Sequence, residues 1–397
     1  MISGFTTIEG RSPAYFTALG VLGFFVLMGA GAFFYVEHFG HGVTNMTNQV
    51  VWGLPHIFAI SLLVMASGAL NLASMSTVFG AKQYTQFRRF SAFLAIALLV
   101  GGLMVLVLDL GRPDRMLLTA IHMNFSSMFT WNVFLYSGFI FFCFLYLWSM
   151  MEHEKFTKLA GSTAFAWRLI LTTGTGSIFG VIHAREVFHS AITAPTFIAV
   201  SLTSGTAMCI ILLVATYTYT KRELDIKLLT GMRNMLTFFT LLVLYFLVVE
   251  KFSKGYSPAY YDVEKWLLTG PHSGLYWGGV VFAGIVGPLA FMFHSDLSRS
   301  VNGIVTAAVL SVVGEFAFVG HVLLAGQSYP FLLIPGYEAK SDFMDGVVAS
   351  YTPSLVELML GLGGVAVVGI IYLLGIRYFR LLPDKAVAPE NWNPWNP

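Results

Sequence analysis

Long apolar runs dominate this sequence and recur ten times, with only short polar connections between them. A helix that crosses the hydrocarbon core of a membrane needs about 20 mostly apolar residues. The runs that meet or approach this length are residues 14–36, 50–79, 89–110, 128–150, 167–189, 196–220, 234–251, 274–294, 301–325 and 354–379. The sequence therefore predicts an all-α membrane protein with ten transmembrane helices.

The composition agrees with lipid as the main solvent. Of 397 residues, 56% are hydrophobic and 11% are charged, whereas a soluble domain carries roughly 25% charged residues. A formal net charge of +2 supplies no basic surface of the kind that nucleic acid requires, so no DNA or RNA partner is predicted. No linker divides the chain, and we expect residues 1–397 to form a single integral membrane domain, with the first run an uncleaved span.

The cysteine content argues against metal centres in the chain. Cys143 and Cys209 each lie in an apolar run and do not form a CxxC motif. Buried cysteines of this kind are usually small apolar packing residues. We therefore expect no metal site, no iron–sulfur cluster and no covalently attached haem.

The distribution of Lys and Arg predicts the orientation in the membrane. The loops after even-numbered spans, together with both terminal segments, carry 15 of the 22 basic residues. Basic residues accumulate on the cytoplasmic side of membrane proteins. We predict a multi-pass protein of a prokaryotic cytoplasmic (inner) membrane with both termini in the cytoplasm.

Polar residues gather at the predicted outer ends of spans 2 to 5. They are His56, Asp109, Arg112, His122, Asn124, His183, Arg185, Glu186 and His189. If span 5 is helical throughout, His183 shares a face with Glu186 and Arg185 shares a face with His189. Acids, bases and amides at one level of four helices favour a ligand pocket between those helices.

The predicted roles divide between proton transfer and ligand binding. His56, Asp109 and Glu186 are the predicted acid–base residues at the outer level, because His and carboxylate side chains exchange protons near neutral pH. The predicted ligand-binding residues are His56, Asp109, Arg112, His122, Asn124, His183 and Arg185.

Several of these residues have a simpler interpretation. Arg112 lies in a Gly- and Pro-containing turn from which its side chain can reach lipid headgroups. His56 can be an interfacial residue at a helix start, and His122 lies in a loop; His41, after span 1, can be a solvated interface residue. Asp109 is different, because a carboxylate one turn inside a span is costly unless it is paired, protonated or hydrated.

Glu315 lies near the middle of span 9, apart from the outer group. A mid-membrane carboxyl group is a candidate proton relay, and we predict a catalytic role of this kind. A hydrogen bond to a backbone carbonyl is the alternative. His321 lies further along the same span.

The outer group suits the head group of a quinone, whose two oxygens need hydrogen-bonding partners and proton acceptors. Two haems are not expected, because paired histidines are lacking at the cytoplasmic level. One outer haem between His56 and His183 remains an alternative, as does a secondary transporter, although transporters favour binding sites at the membrane midplane.

Particular motifs resemble those of the NrfD/PsrC family of polysulfide-reductase-type membrane subunits, and the similarity covers essentially the whole chain. They are Trp52-Gly53-Leu54-Pro55-His56, Leu106-Val107-Leu108-Asp109-Leu110-Gly111-Arg112-Pro113, Ala325–Pro330 and Ile334–Glu338. The stretch from Gly326 through Pro353-Ser354-Leu355-Val356-Glu357, with Thr44–Gln49, is most similar to DsrP, the membrane subunit of the sulfur-metabolising Dsr complex. HmcC-like subunits are the next most similar.

The resemblance implies two four-helix bundles, spans 2–5 and spans 6–9, with peripheral first and last helices. It implies a subunit without haem that interacts with menaquinone or ubiquinone at the outer end of spans 2–5, where His56 and Asp109 match plausible pocket residues. It also implies a periplasmic ferredoxin-like iron–sulfur subunit and, in the DsrP case, a multihaem cytochrome c, a haem b membrane subunit and a cytoplasmic iron–sulfur subunit. The family often has a basic residue in span 9, where this chain has Glu315 and His321.

Overall fold

The computed structural model describes residues 4–330 and 346–394. These residues are predominantly helical, with only two-residue strands besides, which confirms the all-α prediction. The motif Ile334–Glu338 lies outside the described residues.

The long helices follow the apolar runs. They are α1 (Pro13–Phe39), α2 (Leu54–Ala69) continued by α3 (Asn71–Thr77), α4 (Arg88–Leu108), α6 (Met128–Glu152), α7 (Thr157–Gly180), α8 (Thr193–Tyr219), α9 (Ile226–Tyr256), a π-helix (Leu275–Val286) continued by α11 (Gly287–Phe293), α12 (Val301–Ser328) and α13 (Leu355–Tyr378). Short helices α5 (Met116–Ile121) and α10 (Tyr261–Thr269) lie in connections. Within residues 4–330 and 346–394, nine helical segments are long and apolar enough to cross a membrane. The count of ten spans stays a prediction.

The fifth predicted span differs most from its observed counterpart. α7 begins ten residues before the predicted start at 167 and ends at Gly180, and residues 183–189 form turns instead of continuing the helix. The prediction that His183–Glu186 and Arg185–His189 share helix faces is therefore wrong. Four polar side chains within seven residues favour an aqueous or protein-lined turn over a membrane-spanning helix.

Helix packing centres on α2 and α8. α2 packs on α4 and on α8, α6 packs on α7, and α12 packs on α8 and on the π-helix. The close approach of α2 and α8 depends on Gly68 and Gly205, because a Cβ on either would overlap the backbone of the other helix. Small residues of this kind allow helix backbones to meet in membranes. The division into two four-helix bundles stays a prediction.

The two terminal segments meet at one end of the helices. Strand β1 (Phe5–Thr6) pairs antiparallel with β3 (Leu382–Pro383), and β2 (Glu223–Leu224) pairs parallel with β4 (Lys385–Ala386). α1 packs mainly on α13, which also packs on α4 and α2. Both termini thus lie on the same side of the protein, opposite the end that carries His56 and Asp109.

Candidate functional site

His56 and Asp109 form a pair at the end of the helices opposite the termini. His56 lies in the first turn of α2 after Pro55, and Asp109 is the residue that caps the carboxyl end of α4. The packing of α2 on α4 brings His56 Nδ1 within 3.1 Å of Asp109 Oδ2, and the Asp109 side chain is 3% exposed. A buried carboxylate requires such a partner to offset its desolvation.

A second histidine contacts the same carboxylate. His41, in the 3-10 turn after α1, lies with its Nε2 atom 3.7 Å from Asp109 Oδ1 and 3.0 Å from the Asp109 carbonyl oxygen. Gly111 makes this approach possible: its φ of 66° is left-handed, and a Cβ there would lie 2.9 Å from the His41 ring. The sequence gives His41 no role in the site, because its place beside Asp109 depends on the fold of the loop.

The facing atoms of the His56–Asp109 pair have hydrogen-bonding capacity left. The 3.1 Å contact is at ion-pair distance, but its geometry is not that of a directed hydrogen bond. Within residues 4–330 and 346–394, His56 Nδ1 and Asp109 Oδ2 have no other hydrogen-bond partner in the protein. A base and a carboxylate in this state can accept protons from a hydroxyl donor.

Glu357 is fully buried and anchors the start of α2 beside the pair. Its Oε1 atom accepts hydrogen bonds from Asn45 N at 2.9 Å and from the Ser354 hydroxyl at 2.9 Å. Its Oε2 atom accepts from Leu54 N at 3.3 Å and from the Tyr351 hydroxyl. The Glu357 carboxylate thereby fixes the backbone of α2 two residues before His56.

The role of Glu357 was not predicted, although part of its environment has a sequence signal. Ser354 and Glu357 form a capping box at the start of α13, and this spacing is visible in the sequence. Tyr351 donates to the same carboxylate, and burial, followed by this hydrogen bond to Glu357, raises the pKa of Tyr351. Tyr351 therefore stays a neutral donor near neutral pH.

Three predicted ligand-binding residues lie outside the His56–Asp109 pair. Arg112 donates to Asp114 at 2.9 and 3.0 Å, and both side chains are more than half exposed. Asn124 is exposed and accepts from Ser126 N at 3.0 Å, and His122 is exposed. The hydrogen bond to Asp114 raises the pKa of Arg112 and keeps this guanidinium charged.

The predicted residues after α7 form a second group. Arg185 donates to the carbonyl oxygens of Gln327 at 3.0 Å and Tyr329 at 3.4 Å. The rings of His183 and His189 lie 4.1 Å apart between centroids. His183 thus pairs with His189, whereas His56 pairs with Asp109, which gives no support to a haem held between the two histidines.

Glu186 is exposed and lines a cavity with Arg185, Gly326 and Tyr329. Gln327 connects this second group to the segment before α2, because its side-chain amide bonds to the backbone of Trp52, four residues before His56. Gln327 thus joins the segment before His56 to the residues after α7, whereas Arg112, His122 and Asn124 belong to neither group.

Glu315 lies inside the helices, as its sequence position predicts. It is 4% exposed and lines a cavity with Ser311 of α12 and Thr203 of α8. Its carboxyl group interacts with Ser61 of α2, without a well-directed hydrogen bond to any described residue. A buried carboxyl group with spare hydrogen-bonding capacity can take up and release a proton if water reaches it.

Comparisons with known proteins agree with one another. The model of the family described as polysulphide reductase, NrfD, matches residues 42–330. The Hdr-like menaquinol oxidoreductase integral membrane subunit of Archaeoglobus fulgidus is 32% identical over 387 residues, which cover 96% of this chain and 98% of the relative. A polysulfide reductase chain of Wolinella succinogenes is 22% identical over 72% of this chain and 98% of the relative. A selenate reductase subunit of Mesobacillus selenatarsenatis is 26% identical over 93% of each protein.

Proposed function

Because the chain belongs to the NrfD polysulphide reductase family, we propose that it is the quinol-oxidising membrane subunit of a respiratory redox complex. The relative from Archaeoglobus fulgidus is named as a menaquinol oxidoreductase membrane subunit, which supports menaquinol as the first candidate substrate, with ubiquinol as the alternative. The reaction removes two electrons and two protons from the quinol.

The observation that carries this proposal is the buried His56–Asp109 pair. A quinol hydroxyl that donates to Asp109 Oδ2 meets a carboxylate already flanked by His56 and His41. Asp109 and His56 provide acceptors for the protons. His56 also has 21% of its side chain exposed, which leaves a path by which a proton can leave.

In this proposal the electrons pass to a partner subunit. Among the described residues, no group of three or more His, Cys, Asp or Glu side chains is arranged to bind a metal ion. We propose an external, periplasmic ferredoxin-like iron–sulfur subunit as the acceptor. A Dsr-type assembly would add a multihaem cytochrome c, a haem b membrane subunit and a cytoplasmic iron–sulfur subunit and would connect the chain to sulfur metabolism.

The proposed orientation places this pair at the periplasmic side of the inner membrane and both termini in the cytoplasm. It follows from the 15 basic residues of the even-numbered loops and the terminal segments, against seven elsewhere. Protons from quinol oxidation would then be released outside. Glu315 provides a candidate route for protons from the opposite side.

The test is quinol-linked electron transfer by the purified complex. Asp109→Asn and His56→Ala should each lower kcat by about 10²-fold, the usual effect of removing a general base. Asp114→Asn is the matched control, because this exposed carboxylate lies five residues away and pairs with Arg112. Full electron transfer in both site variants would contradict the proposed function.

A further inference from the structure

A cavity lies away from the His56–Asp109 pair, among α7, α8, α9, α10, the π-helix and α12. It contains about 580 Å³ of atom-free space, its mouth included. The part of it that water-sized molecules can occupy is about 50 Å³. We call it the α9 chamber, because α9 supplies most of its charged residues.

Aromatic rings form much of the wall of the α9 chamber. Phe179, Phe188, Tyr276 and Phe318 all line it, together with aliphatic side chains such as Leu247. Such a wall offers water few hydrogen-bonding partners, whereas a flat ring can stack against its rings. The occupant should therefore be planar and largely apolar.

The charged residues of the chamber are already paired, with one acceptor left over. Lys251 Nζ lies 2.8 Å from Glu264 Oε2, and Lys254 donates to the Val187 carbonyl oxygen at 2.7 Å. Lys254 also lies 3.9 Å from Glu250. Glu264 Oε1 has no hydrogen-bond partner among the described residues, although the Glu264 side chain is only 4% exposed.

A second polar atom without a hydrogen-bond partner among the described residues belongs to His321 of α12. His321 is 6% exposed and lines the chamber, with its ring centroid 5.1 Å from that of Tyr276. Its Nδ1 atom also has no hydrogen-bond partner among residues 4–330 and 346–394. The buried unsatisfied acceptor and imidazole nitrogen call for a ligand or water that supplies the missing partners.

We propose that the α9 chamber is a second quinol site, in which the ring stacks among the aromatic side chains and its hydroxyls donate to Glu264 Oε1 and His321 Nδ1. A quinol offers two hydroxyl donors on a flat apolar ring, whereas a free anion would meet lysines that Glu264 and Glu250 already neutralise. The inference rests on the proposed function in taking quinols as ligands of the chain. It goes beyond that function in the location and number of sites.

The two sites lie on either side of an aromatic cluster. Trp52 precedes His56 by four residues, and its ring lies 5.8 Å from Phe179 and 6.4 Å from Phe188 between centroids. Phe179 and Phe188 are walls of the α9 chamber. A ligand in one site therefore does not overlap with a ligand in the other, so binding to each site can be measured separately.

The experiment is anaerobic isothermal titration of the purified full chain with duroquinol, a soluble quinol. We expect two equivalents to bind to the wild type. His321→Leu should remove one equivalent, or weaken it by at least about tenfold, and Asp109→Asn should affect the other. A single equivalent that is lost only in Asp109→Asn would overturn the second site.

The remaining outcomes separate this inference from the proposed function. A single equivalent lost only in His321→Leu would support the chamber and contradict the location at His56 and Asp109. An absence of binding would overturn both. Thr196→Leu, which fills the chamber wall without removing a charge, should act as His321→Leu does.

Thr203→Leu is the matched control for this filling variant. It lies two turns along α8 and lines the cavity of Glu315 instead. It should bind two equivalents. If Thr196→Leu folds with an unchanged Tm and still binds two equivalents, the chamber is not the second site.

Discussion

Gln327 holds the backbone of Trp52 from both sides: its Oε1 atom accepts from Trp52 N at 2.9 Å, and its Nε2 atom donates to the Trp52 carbonyl oxygen at 3.1 Å. The contact joins the end of α12 to the segment that leads into α2. Since Gln327 O also accepts from Arg185, one residue links both outer groups of polar side chains.

Gln327→Leu should therefore loosen the start of α2. The substitution leaves the N–H and C=O groups of Trp52 without their partner, and each unmet buried group costs about 1–3 kcal/mol. We expect a lower Tm and a raised KM for quinol. Gln327→Glu keeps an acceptor for Trp52 N but places a buried carboxylate against the Trp52 carbonyl oxygen, so it should also lower the Tm. A Tm equal to that of the wild type in either variant would contradict this explanation.

Glu357→Gln should destabilise the same region from the side of α13. The carboxylate accepts from Asn45, Leu54, Tyr351 and Ser354, whereas an amide offers only one acceptor oxygen. A loss of about 2–3 kcal/mol is expected, because hydrogen bonds to a charged group are stronger than neutral ones. Denaturation of the detergent-solubilised protein measures this loss. Tyr351→Phe, which removes one donor, should lower the free energy of unfolding by less.

Gly205→Val should prevent the normal contact of α2 with α8. Its side chain would overlap the backbone around Gly68 in the middle of the protein, where neither helix can move without breaking other packing. We expect little folded protein after extraction. Gly20→Val on α1, where a Cβ meets no atom within 4 Å, is the control and should accumulate normally.

His272 should make part of the stability depend on pH. Burial lowers the pKa of His272, which lies in the connection before the π-helix and bonds to the Ser328 hydroxyl at 2.9 Å. The unfolded chain, with an ordinary histidine pKa near about 6.5, then binds more protons than the folded chain as the pH falls through that value. Stability present at higher pH is lost on acidification, and between about pH 7.5 and 5.5 the Tm of His272→Gln should fall less than that of the wild type.

Glu315→Gln tests whether quinol turnover moves charge across the membrane. If Glu315 carries protons from the side of the termini, reconstituted complex should generate a potential that this substitution abolishes while electron transfer continues. Glu154→Gln, at an exposed carboxylate that pairs with Arg88, is the control. An unchanged potential in Glu315→Gln, or none in the wild type, would remove Glu315 from such a route.

The sequence predicted the class of fold because lipid imposes length and composition on each helix separately. It also predicted that His56 and Asp109 lie at one level, since helix ends follow from the apolar runs. The sequence prediction missed the end of α7 at Gly180. No strong helix-stop signal separates the apolar residues of span 5 from the polar turn that follows them.

The residues around Asp109 were harder to predict from the sequence than the depth of Asp109 in the membrane. His41 reaches the site from the loop before α2 and Glu357 from the first turn of α13, and the contact of Asn45 with Glu357 spans 312 residues of sequence. A hydropathy pattern contains no information on such pairings. Only the capping box of Ser354 and Glu357 left a local signal.

The packing of α1 mainly on α13 has a consequence for biogenesis. α1 leaves the ribosome well before α13, its principal neighbour, has been synthesised. Until then α1, whose apolar segment is only 17% buried even in the finished fold, must remain stable against lipid alone. Synthesis of α13 is thus the step that secures α1, and a nascent chain that stops before α13 would have a loosely attached α1 for quality-control proteases to recognise.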